Sequence, residues 1–261
     1  MKRVIVCVLL AALAAGSMVL AEDAPRAATV TDETGVKTQL TNLTFAPIRA
    51  SQKFAFGLDA VAVIMKNGEI AVSLDNLKSI EVKEGSATVS CYWNGQEMTL
   101  VGSLENGTFN GESEFGHCEV PAGKVTALQL ASPSRNTPKQ LAEFLLKDKD
   151  PIKATLIFKD DTEVAVDHVQ RIYRSSSSTD YFYKDFCFLR GDAKFKITFD
   201  KLRSIDFADT TVTVTLKSGT SSPGKLTSDW GERADGFTGF CEKGEFYVES
   251  KYIKKIVFGD R

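Results

Sequence analysis

The 261-residue chain carries 32 Lys and Arg against 34 Asp and Glu, a formal net charge of −2, so its charge provides no surface for nucleic acid or another polyanion. Charged residues make up 25% and aromatics 10%, with 17 Phe, which excludes a disordered chain and provides for a sizeable core. No stretch concentrates the residues of a reaction, and no cofactor motif is present.

Lys2 and Arg3 precede an apolar run from Val4 to Leu20 that ends in Val19-Leu20-Ala21 and is followed by the polar Glu22-Asp23-Ala24-Pro25. A basic start, a short apolar stretch and a small-residue end predict a secretory signal peptide over residues 1–21. Gly16 and Ser17 interrupt the run, which is short for a bilayer span, so no transmembrane segment is expected after cleavage. Cys7 lies within this segment and lacks the context of a lipoprotein cleavage site. Cleavage leaves 30 basic against 34 acidic residues in a periplasmic or extracellular protein.

The remainder divides into a first β domain (22–133), a linker with a short helix (134–151) and a second β domain (152–261). In the first, AVAVIMKNGEIAVSL (60–74) alternates apolar and polar residues around Asn-Gly, the signature of an antiparallel hairpin. It leads into AVSLDNLKSIEV (71–82), a phrase that recurs in the second domain as KITFDKLRSIDF (196–207). Val72 and Leu74 share a strand face and Leu77 and Ile80 share a face of one helical or 3₁₀ turn, so the phrase predicts a strand turning a corner. Asp75 and Asp200 fall where a side-chain oxygen can cap the turn, and VAVDHVQRIY predicts a looser copy capped by Asp167, with His168 at the place of Asn76 and Lys201.

Longer units align at a spacing of 128: Phe109 with Phe237, Gly111 with Gly239, Glu114 with Glu242, Gly116 with Gly244. Each half, 28–130 and 154–258, therefore reads as two short units and a long one. In the last unit, TVTVTLKSGTSSPGKL, GFTGFC and FYVESKYIKKIVF give hairpin, strand, and strand–tight turn–strand. That order resembles a small SH3-like or Sm-like barrel; the resemblance covers only the long units and implies no functional residue.

Between the halves, Thr137 and Pro138 open an amphipathic helix whose Leu141, Phe144 and Leu145 share a face, and Asp148-Lys149-Asp150-Pro151 ends it. Ser175 to Asp180 reads as a loop. The expected fold is all-β: two tandem, internally duplicated β domains, small barrel or sandwich modules built of hairpins, joined by this helix.

Four cysteines follow the signal peptide, Cys91 and Cys118 in one half and Cys187 and Cys241 in the other. An even number in an oxidising compartment points to disulfides, with three pairings open and one bridge per half the simplest. No C-x-x-C spacing supports zinc. Of the two histidines, His168 reads as a solvated turn residue, and His117 projects away from Cys118 if both lie on a strand.

The loop DWGERADGF presents Asp229, Trp230, Glu232 and Asp235, a possible place for a cation or a sugar, though without EF-hand spacing. Arg190-Gly191-Asp192 falls at an expected hairpin tip, where Gly and Asp are ordinary turn residues. Without repeating aromatic girdles an outer-membrane barrel is disfavoured. The expected function is that of an exported, non-enzymatic β-repeat protein that binds or scaffolds a protein, peptide or glycan through loops or strand edges. The alternative is a carboxylate-dependent hydrolase of glycans, since Glu112 and Glu114 would share one strand face.

Overall fold

Two-residue turns fix much of the strand register. Glu84 and Gly85, and again Asn94 and Gly95, have positive φ (52° and 79°; 49° and 79°), the backbone that lets a two-residue turn match the twist of its flanking strands. The structure, a computed structural model, describes residues 25–47, 59–174, 180–226 and 236–259. Residues 1–21, expected to be a signal peptide, and the 229–235 loop lie outside the described residues.

The first half contains β1 (Ala28–Asp32), β2 (Lys37–Pro47), β3 (Ala60–Met65), β4 (Gly68–Ser73), β5 (Leu77–Lys83), β6 (Ser86–Trp93), β7 (Gln96–Leu104), β8 (Gly107–Ser113), β9 (Gly116–Pro121) and β10 (Val125–Leu130). After helix α1 (Lys139–Lys147) come β11 (Ala154–Phe158), β12 (Glu163–Arg174), β13 (Asp180–Tyr183), β14 (Asp185–Arg190), β15 (Ala193–Thr198) and β16 (Leu202–Ala208). The chain closes with β17 (Thr211–Leu216), β18 (Ser221–Leu226), β19 (Gly236–Cys241), β20 (Gly244–Glu249) and β21 (Ile253–Phe258). The fold is nearly all β, and every strand pairing among the described residues is antiparallel.

Pairing in the first half runs β9–β8–β2–β1–β10–β5–β6–β7–β3–β4. The second half repeats it strand for strand, β20–β19–β12–β11–β21–β16–β17–β18–β14–β15, with β13 added beside β12. Even irregularities recur: Ala28 to Thr31 pair with Leu130 to Ala127 before a shift at Asp32, and Ala154 to Ile157 pair with Phe258 to Lys255 before a shift at Phe158. The halves are joined by β4 against β20, so the whole network is one antiparallel sheet that starts at β9 and ends at β15.

The repeated phrase turns its corner between β4 and β5, and between β15 and β16 through a 3₁₀ turn at Phe199–Lys201. Asp75 accepts a hydrogen bond from Arg26 Nε, and Asp200 sits inside its turn, whose N-cap residue Thr198 makes no side-chain capping bond. Buried side chains anchor the corners, Leu74 with Leu77 and Phe199 with Leu202. Asn76 adds a local tie, donating from Nδ2 to the carbonyls of Ser134 (2.7 Å) and Asn136 (2.8 Å).

VAVDHVQRIY is not a further corner of this kind but a bend inside the continuous strand β12. Its first part pairs with β11, its second with β19, and the register slips between Asp167 and Gln170. His168 takes φ 55° at the slip, and Asp167 Oδ1 accepts the His168 N–H at 2.9 Å. Asp167 thus supports a bulge, and the counterpart of His168 is Asn42 (φ 53°), where β2 passes from β1 to β8. A bulge bends a strand that must serve two ladders.

The last unit does not close into an SH3-like barrel of its own. β18 pairs onward to β14, β19 to β12 and β21 to β11 and β16, because the strands are shared across the half. Strand–3₁₀–strand endings do form in both halves, at Ala122–Lys124 and Ser250–Tyr252.

A single contiguous hydrophobic cluster extends from Ala28 to Phe258 across both halves. The join explains this: Ile70 on β4 and Phe246 on β20 are 1% and 2% exposed, so the buried face continues across it. Helix α1 seals the join. Leu141 is buried with Ala60, Ala71 and Phe240, next to Leu145 and Trp93, and the Trp93 and Phe240 rings stack at 6.3 Å.

Candidate functional site

Each half holds a cleft between its first strand, its last strand and the corner of the repeated phrase. In the first half Pro25, Arg26, Asp75, Ser134 and Thr137 line about 440 Å³. In the second, Ile152, Phe199, Asp200, Lys217 and Gly259 line about 280 Å³. Arg26 occupies the first by pairing with Asp75 and Asp59 (3.3 Å), whereas its counterpart Ile152 is buried and apolar. The two clefts share a position but no ligand chemistry.

His168 parts from its expected setting. His168 is no solvated turn residue: its side chain is 13% exposed, its Nδ1 lies 2.9 Å from Asp148 Oδ2, and its ring meets Phe240 edge-on at 5.8 Å. Asp148 also takes Lys184 Nζ, which donates in addition to the Asp150 carbonyl at 2.8 Å. Burial works to raise the Asp148 carboxyl, but the hydrogen bonds from Lys184 and His168 prevail and hold it below the usual carboxylate range. This is a tie between the end of α1 and the second half.

His117 on β9 lies 3.3 Å from Glu112 and 3.5 Å from Glu119, with all three side chains more than half exposed. Glu114 falls beyond the end of β8, so Glu112 and Glu114 do not share the strand face that a paired-acid hydrolase was expected to use. Among the described residues no group of three or more His, Cys, Asp or Glu is arranged to hold a metal ion. The candidate ligand loop with Asp229, Trp230, Glu232 and Asp235 lies outside the described residues, and Arg190-Gly191-Asp192 occupies the β14–β15 hairpin tip.

No disulfide forms. Cys91 on β6 pairs with Met98, while Cys118 on β9 pairs with Gly111; Cys187 lies opposite Lys196 and Cys241 opposite Gly244. Members of each expected pair thus sit on strands that are not neighbours. Burial pushes the Cys91 thiol up to about 11 and raises those of Cys187 and Cys241, which removes their thiolates as reactive species.

Among the described residues, what remains are the strands paired on one side only, β9 and β15 at the ends of the sheet and β13 beside β12. Among the described residues β9 pairs only with β8, and β15 only with β14. β15 carries Lys194, Phe195 and Lys196, all exposed; Phe195 is 40% exposed and stacks on Phe188 at 5.5 Å. β9 carries Glu119, with Phe115 92% exposed at the turn that precedes it. The β15 edge carries two lysines, of which Lys196 already pairs with Asp185 (3.1 Å), and the β9 edge carries one carboxylate, Glu119; among the described residues the outer side of each offers a row of backbone donors and acceptors. Sequence reasoning named strand edges in general but not these two; laying KITF over AVSL would have found Lys194 and Lys196 where the first half has Glu69 and Ala71.

No protein-family model matches the chain, and no curated protein matches it. Among solved structures, an uncharacterized protein from Saccharomyces cerevisiae is similar at 10% identity over 87% of this chain and 98% of that one, with a TM-score of 0.11, which carries no argument.

Proposed function

We propose that the protein is an exported, non-enzymatic scaffold made of two copies of one β module, and that it binds a protein or peptide partner by adding strands at β9 and β15. The observation that carries this reading is that, among the described residues, both terminal strands pair on one side only, in a sheet whose other strands, β13 apart, pair on both sides. An open edge offers main-chain hydrogen bonds at regular spacing, and alternate side chains select the partner. The pattern of residues 1–21 supports export, and the recurring ladder supports two tandem modules.

The test is cross-linking of the protein in its native compartment followed by mass spectrometry, with Phe195→Lys and Glu119→Lys variants beside the wild type. Reproducible cross-links from β9 or β15 that both variants lose are expected. Cross-links that persist unchanged in the variants, or none from either strand, would sink the reading.

A further inference from the structure

We infer that the two end strands are partners for each other, so that β15 of one copy pairs with β9 of a second copy in the register already used by β4 and β20 inside the chain. This rests on the edge-binding reading above and names its occupant.

The argument follows from the duplication. β15 is the counterpart of β4: each is the second strand of a hairpin and leads into the repeated corner. β9 is likewise the counterpart of β20, each following the bent-strand partner and leading into a 3₁₀ turn. Within the chain a β4-type edge meets a β20-type edge, and one edge of each type is left at opposite ends of the sheet. The chain already contains a solved example of the contact its ends would make.

Transferring the register tests whether the ends fit. In the join Glu69 faces Tyr247, Ile70 faces Phe246 and Ala71 faces Glu245. The repeats place Lys194, Phe195 and Lys196 at the first positions, and Glu119, Cys118 and His117 at the second. Lys194 would stand directly opposite Glu119, an opposite-charge cross-strand pair. Phe195 would take the place of Ile70, which the join buries to 1% while Phe195 is left 40% exposed.

Side-chain volume also exchanges in a compensating way. A Cβ at Gly68 would meet the Phe246 ring at 2.5 Å, so the join needs glycine opposite its large ring. At the free ends Ala193 replaces Gly68 and Cys118 replaces Phe246, so a residue with a Cβ meets a smaller side chain. The bulk moves to Phe195.

Such a contact is head-to-tail, since each copy offers one edge of each kind. It therefore builds rings or open chains of copies rather than a symmetric dimer. Association by edge pairing continues the internal sheet into the next molecule.

The experiment measures the mass of the purified mature protein in solution across a wide concentration range. Mass is expected to rise with concentration. Phe195→Lys and Glu119→Lys should each weaken association about tenfold, and Lys194→Glu added to Glu119→Lys should restore it. In a second arm, protein carrying Cys118→Ser and Phe195→Cys is mixed with wild type under mild oxidation. A disulfide between copies is expected from Cys118 to the introduced thiol, and none when both proteins carry Cys118→Ser. A mass of one chain at every concentration, together with no cross-link, would overturn the inference, as would association that the charge exchange fails to rescue. If a different protein occupies β9 or β15 while the chain alone stays monomeric, self-pairing fails and the edge-binding reading survives.

Discussion

Ile70 and Phe246 face each other across the join of the two halves, in register between β4 and β20, and both are buried. Phe246 also meets the Phe158 ring edge-on at 6.3 Å, so the contact ties the join to the core of the second half.

The glycine beside this contact makes it sensitive. Gly68 has φ +154°, and a Cβ there would come within 2.5 Å of Phe246 and 2.7 Å of the Tyr247 carbonyl. Gly68→Ala is expected to lower unfolding free energy by about 2–3 kcal/mol, read from urea denaturation. Gly85→Ala, which meets nothing within 4 Å but sits at φ +79°, is expected to cost only about 1 kcal/mol.

Helix α1 contributes through one side chain in particular. Leu141 is 1% exposed against Ala60, Ala71 and Phe240, so Leu141→Ala should cost about 2–4 kcal/mol in thermal or urea unfolding. Leu146 on the same helix is 81% exposed, and Leu146→Ala should change stability by no more than about 0.5 kcal/mol.

The Asp148 carboxylate anchors His168 and Lys184, and its folded-state pKa is depressed. Its contribution to stability is therefore full above the unfolded carboxylate pKa, about 3.9, and is lost as pH falls through the lower folded value. Asp148→Asn should cost about 2 kcal/mol at neutral pH, and the difference from wild type should shrink when both are unfolded at increasingly acid pH. A difference that stays constant into strong acid would contradict the role of the charge.

Free thiols provide a separate check. Thiol titration of the denatured protein spanning residues 22–261 is expected to count all four of its cysteines, without prior reduction. In the folded protein Cys118 should react first, because Cys91, Cys187 and Cys241 are buried and their thiols are raised. Fewer than four thiols after denaturation would restore the disulfides expected from their even number.

Much of this architecture can be read from local pattern. The alternation around Asn67-Gly68 and Ser218-Gly219 gives hairpins β3–β4 and β17–β18, and the spacing of 128 between Phe109 and Phe237 marks equivalent strands. Leu141 declares its buried face through helical spacing. The join does not show itself in this way, because pairing of Ile70 with Phe246 spans most of the chain and depends on the space above Gly68. His168 misled for a related reason: Asp-His after alternating apolar residues looks like a corner, but β12 has two ladders to serve and bends by a bulge. Asp75 and Asp200 recur because the corner recurs, yet one binds Arg26 and the other lies inside its turn. The end strands become visible as a candidate site only once the copies are compared, where Lys194 and Lys196 stand in place of Glu69 and Ala71.

Amide hydrogen exchange at low and high protein concentration tests the central claim most directly, because it reports strand pairing residue by residue. Amides of β4 and β20 should be protected at both concentrations. Those around Lys194 to Lys196 on β15 and His117 to Glu119 on β9 should exchange quickly in dilute protein and gain protection together as it is concentrated. Exchange at β9 and β15 that is independent of concentration, or protection gained on only one of them, would contradict the account.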